Sequence, residues 1–227
     1  DLTVGRKKIR VSDFSTLSRL ARRRLIDMHY DAGVGHLGGN LSALDAMLYL
    51  HHEIMDEQDV FVLSKGHAAG AFYITLWTLG ALTDEDLRSF HADGTVLSGH
   101  PPPNLIDRIR VATGSLGHGF PISCGLAMAR KLAKKSGNVY CLCSDGEWQE
   151  GSNWEALIFA IHHRLKNLIL LIDDNKLQGF GSTVDVASMG TFTQLFSGFD
   201  VDINELDGHS AKSLEQIKFG SENSLAV

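Results

Sequence analysis

Apolar residues recur along the chain with a helical period in some stretches and as short continuous runs in others. Helical spacing predicts a short helix beginning at Thr83 and longer helices over 15–30, 42–55, 66–79, 122–135 and 153–164. Continuous apolar runs predict strands over 60–63, 138–143 and 167–172. Buried strands that alternate with helices indicate an α/β fold, with a doubly wound, mainly parallel sheet and helices on both faces.

The composition is that of an ordinary globular protein, and we predict a single domain over 1–227. Of the 227 residues, 44% are hydrophobic and 21% are charged. Lys and Arg number 21 and Asp and Glu number 27, so the net charge is −6. This sign argues against a general nucleic-acid binder, whose affinity comes from neutralising phosphates. We predict a basic N-terminal arm over 1–14, while the tail over 211–227 has no strong pattern.

The sequence also suggests a compartment. No segment approaches the roughly 20 apolar residues that a membrane span needs, and the first residues contain no apolar core of a secretory signal. Cys124, Cys141 and Cys143 are too few and too poorly spaced for a disulfide framework or a zinc site. We therefore expect buried free thiols, no membrane association and a cytoplasmic location.

Polar residues follow two of the predicted strands at the point where each strand ends. Asp145 and Gly146 come after the strand over 138–143, and Asn175 comes soon after the strand over 167–172. One crossover helix separates these strands, so we expect them to be neighbours whose ends open into the same crevice. A carboxylate and an amide oxygen suit Mg²⁺ or Ca²⁺, and a site with so few protein ligands predicts a phosphorylated cofactor.

Two further elements suggest an anionic or polyhydroxylated ligand. A glycine-rich turn over 113–119 precedes a predicted helix, and such turns bind anions through backbone N–H groups. Three histidines, His36, His67 and His100, lie in separate glycine-containing loops. A single histidine is more often structural, but three in such loops are typical of convergent hydrogen-bond donors.

These segments together resemble the amino-terminal half of the transketolase family. The Ser-Asp-Gly at 144–146 and the Asp-Asn at 174–175 are similar to the thiamine diphosphate fingerprint. The segments 35–39, 63–67, 99–101 and 113–119 are similar to successive transketolase motifs, in the family's order. The resemblance covers about residues 15–210 and implies the diphosphate-binding fold and thiamine diphosphate with Mg²⁺, or Ca²⁺, as cofactors.

The resemblance assigns roles residue by residue. It implies a metal ion held by Asp145, Asn175 and the backbone carbonyl of Leu177. It also implies cofactor contacts from a larger set, namely His67, Gly114, Leu116, Gly146, Glu150 and Asn175. Within that set His67, Gly114 and Gly146 would lie against the diphosphate, Leu116 would pack near the cofactor rings, and Glu150 would lie at the interface between cofactor-binding halves.

His36, His67 and His100 are the catalytic candidates that the resemblance implies. His36 and His100 would face the hydroxyl groups of the donor and acceptor sugars. The family also needs a glutamate from a second, pyrimidine-binding domain, and the resemblance places no such domain in this chain. It therefore implies a separately encoded pyrimidine-binding partner, an α₂β₂ complex, and transfer of a two-carbon ketol unit from a ketose or ketose phosphate to an aldehyde.

Three alternatives remain open from the residues alone. The chain and its partner could form a related acyloin or deoxyketose synthase, because half a site does not reveal the donor. The chain could be a cofactor-binding module without catalysis. It could also be a nucleotide-binding α/β protein, in which the turn over 113–119 binds phosphates and Asp145 has no role.

Overall fold

A computed structural model describes residues 13–106 and 108–217, and the backbone of residues 225–226. Its α-helices are α1 Phe14–Ala32, α2 Leu37–Tyr49, α3 Ala69–Thr78, α4 Asp84–Arg88, α5 Gly119–Leu132, α6 Gly151–His162, α7 Thr183–Ala187, α8 Phe192–Phe196 and α9 Ala211–Leu214. Its strands are β1 Val60–Leu63, β2 Val139–Ser144, β3 Leu168–Asp173, β4 Leu177–Gln178, β5 Gly181–Ser182, β6 Val201–Asp202 and β7 Leu225–Ala226. Short 3₁₀ turns, Gly66–Ala68 and Gly146–Gln149, follow β1 and β2.

Five of these strands form one parallel sheet in the order β1-β2-β3-β7-β6. The register pairs Val139 with Leu168 and Ser144 with Asp173, so β2 and β3 end side by side. The strands β4 and β5 form a separate two-residue antiparallel hairpin. The predicted neighbour relation between the two strands around α6 is therefore confirmed.

Successive residues of the central strands point to opposite faces of the sheet, and each face has its own core. Tyr140 and Leu142 of β2 join the core that contains α1, α2 and α3. Cys141 and Cys143 alternate with these two residues along β2 and join the core that contains α5 and α6. Because both faces are covered, the strands are apolar throughout rather than alternating. The doubly wound α/β prediction is confirmed.

The predicted element boundaries differ from the structure in specific ways. The second helix begins at Leu37 rather than at 42, because its cap is His36, with a left-handed φ of 63° that the apolar pattern does not reveal. The helix predicted over 66–79 is a 3₁₀ turn followed by α3, and α5 begins at Gly119 rather than at 122. Both strand predictions stop one residue early, because Ser144 and Asp173 are polar but still pair.

Parts of the predicted arm and tail lie outside the described residues, namely 1–12, 218–224 and 227. Within the described part, Asp13 caps α1 by accepting from the backbone N–H of Thr16. The three cysteines are free and buried, as predicted. Among the described residues, every helix is too short or too polar to cross a membrane.

Candidate functional site

The carboxyl ends of β1, β2 and β3 bring three polar segments to one edge of the sheet. Ser64 to His67 follow β1, Asp145 and Gly146 follow β2, and Asp174 and Asn175 follow β3. Ligands of open α/β sheets bind outside this edge.

Asp145 is buried at the end of β2 with its backbone tied to β3. Its N–H donates to the carbonyl of Asp173 at 3.2 Å. Its carboxylate accepts from the Gly146 N–H at 2.8 Å and from the Thr183 hydroxyl at 2.7 Å. Each carboxylate oxygen has a second lone pair, so these bonds leave acceptor capacity for a cation.

Asn175 has an amide whose orientation is fixed by partners of opposite polarity. Its NH₂ group donates to the Asp173 carboxylate at 3.3 Å, and its Oδ1 accepts from the Leu177 N–H at 2.9 Å. A flipped amide would set oxygen against a carboxylate and NH₂ against N–H, both unfavourable. Leu177 is 67% exposed, and its backbone N–H is held by the Asn175 amide oxygen.

Sequence reasoning missed an ion pair that supports this amide. Lys65 is completely buried, and its ammonium group donates to the Asp173 carboxylate and to the Gly39 carbonyl, the latter at 3.1 Å. The hydroxyl of Ser42 donates to the other oxygen of Asp173 at 2.6 Å. The sequence did contain a signal for this pair, because Lys65 and Asp173 both lie at strand ends, next to the motifs that contain His67 and Asn175.

The three loop histidines come together. The rings of His36 and His67 lie 5.6 Å apart between centroids. Burial, followed by the charges of Lys65, His36 and His100, lowers the pKa of His67 to about 4. Burial, followed by the charge of His36, also lowers the pKa of His100. Both imidazoles are therefore neutral near pH 7 and able to donate or accept a hydrogen bond.

Gly114 lies at the contact between the glycine-rich turn and two neighbouring loops. Its φ is +140°, which an L side chain rarely adopts. A Cβ there would lie 2.7 Å from the ring of His100, and a Cβ on Gly66 would lie 2.7 Å from the Gly114 nitrogen. The turn that the sequence singled out therefore packs backbone to backbone against the residue before His67.

Glu147 is a second missed residue, and it ties the same turn to two strand ends. It is fully buried and accepts from the Ser64 hydroxyl at 2.8 Å, the Ser144 N–H at 2.9 Å and the Gly117 N–H at 3.3 Å. Burial raises the pKa of this carboxyl group, while these donors oppose the rise. The sequence signal was only one acidic residue among several after β2.

The remaining candidate residues lie around Gly146 and Gly117. A Cβ on Gly146 would come 2.8 Å from the Gln178 amide, whose Nε2 is buried without a hydrogen-bond partner. Glu150 is exposed and caps α6, with its Cβ against Gly117. Leu116 directly precedes Gly117 in the turn and is half-buried. The sequence-predicted residues thus lie on the segments that follow β1, β2 and β3, or on turns, loops and a hairpin linked to those segments by contacts.

A cavity of about 440 Å³ opens beside β3, between the sheet and the segment over 203–217, and Ser42, Asp173 and Asn175 contribute to its wall. Among the described residues, no group of three or more His, Cys, Asp and Glu side chains is arranged to hold a metal ion. The predicted metal set contains only one carboxylate, so its other protein oxygens would have to come from an amide and a backbone carbonyl.

The fold and this edge define an α/β protein with a polar site at the carboxyl ends of parallel strands. Residues 17–220 match the family described as transketolase, thiamine diphosphate binding domain. The chain belongs to this family, which confirms the family resemblance and the predicted cofactor class.

Relatives include proteins named as single subunits of transketolases. One such subunit of the apulose-4-phosphate transketolase of Phocaeicola vulgatus is 35% identical over 215 residues, covering 91% of this chain and 76% of that protein. A 6-deoxy-6-sulfo-D-fructose transketolase subunit of Clostridium sp. is 31% identical over 211 residues, covering 89% of this chain and 77% of that protein.

Solved transketolases share the fold. The enzyme from Leishmania mexicana superposes with a TM-score of 0.85 at 27% identity, over 91% of this chain and 34% of that chain. The enzyme from Campylobacter jejuni gives a TM-score of 0.80 at 29% identity, over 91% and 35% of the respective chains. This chain thus spans about a third of these two transketolases.

Proposed function

We propose that this chain, as a single domain over 1–227, is the thiamine diphosphate-binding subunit of a split transketolase. The observation that carries the proposal is the placement of Asp145 and Asn175 after paired neighbouring strands, with the Asn175 amide fixed by its partners. This arrangement occurs within a domain of the thiamine diphosphate-binding family.

The residues around Gly146 fit a diphosphate. The unpartnered, buried Nε2 of Gln178 is a donor that lies against Gly146, and a diphosphate oxygen is a suitable acceptor for it. His67, Gly114 and Gly146 would lie along the diphosphate, and Leu116 would pack against the rings. Thiamine diphosphate, when bound, supplies the nucleophilic carbon that accepts a ketol group from the donor sugar.

The metal proposal rests on the chemistry of the donors. Asp145, Asn175 and the Leu177 carbonyl would hold Mg²⁺, or Ca²⁺, because carboxylate, amide and carbonyl oxygens are the ligands that these ions prefer. Few protein ligands suit Mg²⁺, which completes its coordination with phosphate oxygens and water.

His36, His67 and His100 are the proposed catalytic residues. Imidazole rings can hydrogen-bond sugar hydroxyls and oxygen atoms that gain negative charge during the transfer. The lowered pKa of His67 supports this role, since the ring stays neutral beside the Lys65 ammonium group.

The partner proposal rests on the relatives. The match to this chain spans about three quarters of each relative that is named as a subunit. It spans only about a third of each of the two transketolases. We propose a separately encoded pyrimidine-binding subunit, which Glu150 would face, and an α₂β₂ complex in the cytoplasm. The substrates would be a ketose or ketose phosphate donor and an aldehyde acceptor.

Co-expression with the candidate partner subunit tests the proposal. We expect a purified complex that transfers a two-carbon unit only with thiamine diphosphate and Mg²⁺. Asp145→Asn should lower that activity more than about 100-fold, because it removes a metal ligand's charge. Glu85→Gln, which changes an exposed acid on α4 away from the site, is the matched control and should retain activity.

A panel of donors makes the test specific. Turnover with ketoses supports a transketolase, while turnover confined to 2-keto acids would favour an acyloin or deoxyketose synthase. A stable complex that binds the cofactor but transfers no ketol unit from any ketose would overturn the proposal.

A further inference from the structure

We propose that Tyr73 is a positioning residue that holds the loop carrying His100 against the helix that follows His67. The meaning of this for catalysis rests on the proposed function, in which His67 and His100 act on one substrate. The contact itself is independent of that function.

Tyr73 reaches the loop through its hydroxyl group. The side chain is completely buried in α3, and its hydroxyl donates to the Ser98 carbonyl at 2.8 Å. The His100 carbonyl lies 3.3 Å from the same hydroxyl and also accepts from the Ser98 hydroxyl at 2.7 Å. Burial raises the pKa of Tyr73, so the phenol remains a donor at any physiological pH.

The helix connects this contact rigidly to His67. The 3₁₀ turn Gly66–Ala68 contains His67 and runs directly into α3, where Tyr73 lies at the fifth position. Five residues of continuous helical structure, 68–72, therefore lie between the two side chains, and helices bend only gently over such lengths. Tyr73 thus holds the His100 loop at a fixed position relative to His67.

The position of His100 tolerates little displacement. Its ring lies against Gly114, where a Cβ would be only 2.7 Å away. A Cβ on Gly99 would lie 2.6 Å from the ring of His91, and the His91 N–H donates to the Leu97 carbonyl at 3.1 Å. The backbone of the loop is held by hydrogen bonds, and the Tyr73 hydroxyl, from the helix of His67, reaches two of its carbonyls.

Tyr73→Phe tests the proposal because it removes only the hydroxyl and keeps the ring in its packing against Phe90. The hydrogen-bonded amides of this loop are those of His91, which donates to the Leu97 carbonyl, and Leu97, which donates to the Thr95 hydroxyl. We expect hydrogen exchange of these two amides in the unliganded chain to rise about fivefold or more, the effect of losing one buried hydrogen bond. Tyr49→Phe is the matched control, since it removes a tyrosine hydroxyl at the end of α2 and should leave exchange of both amides unchanged.

The assembled complex gives the second measurement. Tyr73→Phe should raise the KM for sugar about fivefold to tenfold, while the affinity for thiamine diphosphate changes less than twofold. A purely structural role would weaken sugar binding and cofactor binding together, or lower only the unfolding midpoint. If Tyr73→Phe does not fold, a slowly exchanging Tyr73 hydroxyl proton in the unaltered chain, detected by NMR near Ser98, provides the test.

The outcomes separate the two proposals. Unchanged exchange of the His91 and Leu97 amides in the variant, or a freely exchanging Tyr73 hydroxyl proton, would overturn the positioning role. Increased exchange together with a complex that transfers no ketol unit would support the positioning role and refute the proposed function.

Discussion

Two carboxylates beneath the candidate site are stabilised in different ways. Asp173, at the end of β3, pairs with the buried ammonium group of Lys65. Glu147, after β2, takes part in none of the ion pairs among the described residues and is surrounded by neutral donors. The first depends on a compensating charge and the second on several dipoles. Substitutions in the two networks should therefore differ in how much stability they cost and in which residues they displace.

The largest effect should follow from breaking the ion pair. Lys65→Met leaves the Asp173 carboxylate without its cation, and removing one partner of a buried pair costs about 3–5 kcal/mol. We expect a loss of that order in the free energy of unfolding, measured by urea denaturation. The double variant Lys65→Met/Asp173→Leu should recover part of it. If the single variant costs less than about 1 kcal/mol, the charge compensation is unimportant.

A smaller effect is expected at Glu147. Glu147→Gln preserves the shape but places an NH₂ group among donors, which costs about 1–3 kcal/mol for an unsatisfied buried group. Ser64→Ala, which removes one neutral donor, should cost about 1 kcal/mol. Chemical denaturation compares them, and the amide resonance of Gly117 should shift in the glutamine variant. An unmoved Gly117 resonance would argue against the contact.

Acid should destabilise the protein through His67, the buried histidine near Lys65. The pKa of His67 is lowered to about 4 by burial and then by Lys65, while an unfolded histidine titrates near 6.5. The unfolded chain therefore binds more protons between these values, so stability is complete above pH 6.5 and falls as the pH drops toward 4. His67→Gln should reduce the loss of unfolding free energy between pH 6.5 and pH 4 by on the order of 2 kcal/mol. Unfolding measured at several pH values tests this.

His51 serves as a reference for that experiment, because it is also buried and its pKa is lowered to about 4, mainly by burial. His51→Gln should flatten the same acid slope without changing cofactor affinity, since its Nδ1 bonds only to the Met47 carbonyl within α2 and the following turn. A slope that is unaffected by either substitution would show that both histidines are protonated in the folded state.

The smallest effect belongs to the Ser42 hydroxyl. Ser42→Ala removes a neutral donor at 2.6 Å from Asp173 and should cost about 1 kcal/mol, since Lys65 still compensates the charge. The free energy of unfolding measures it. A cost equal to that of Lys65→Met would mean that the hydroxyl and the ammonium group are equally important to Asp173.

The sequence alone determined the fold class and the order of the strand-end residues. Apolar runs and helical spacing depend on local periodicity, so β1, β2, β3 and the helices between them could be predicted. The positions of Asp145 and Asn175 followed because residues after parallel strands meet at one edge of the sheet.

The tertiary structure decided the partnerships. Lys65 and Asp173 are 108 residues apart in the chain, and Glu147 and Ser64 are 83 apart. No local pattern links such residues, because their contact depends on the register of β1, β2 and β3. The same holds for Tyr73 and the His100 loop, whose hydrogen bond forms only because α3 packs beside a segment that comes 25 residues later. Local periodicity specifies elements, whereas the pairing of buried polar groups depends on how those elements pack.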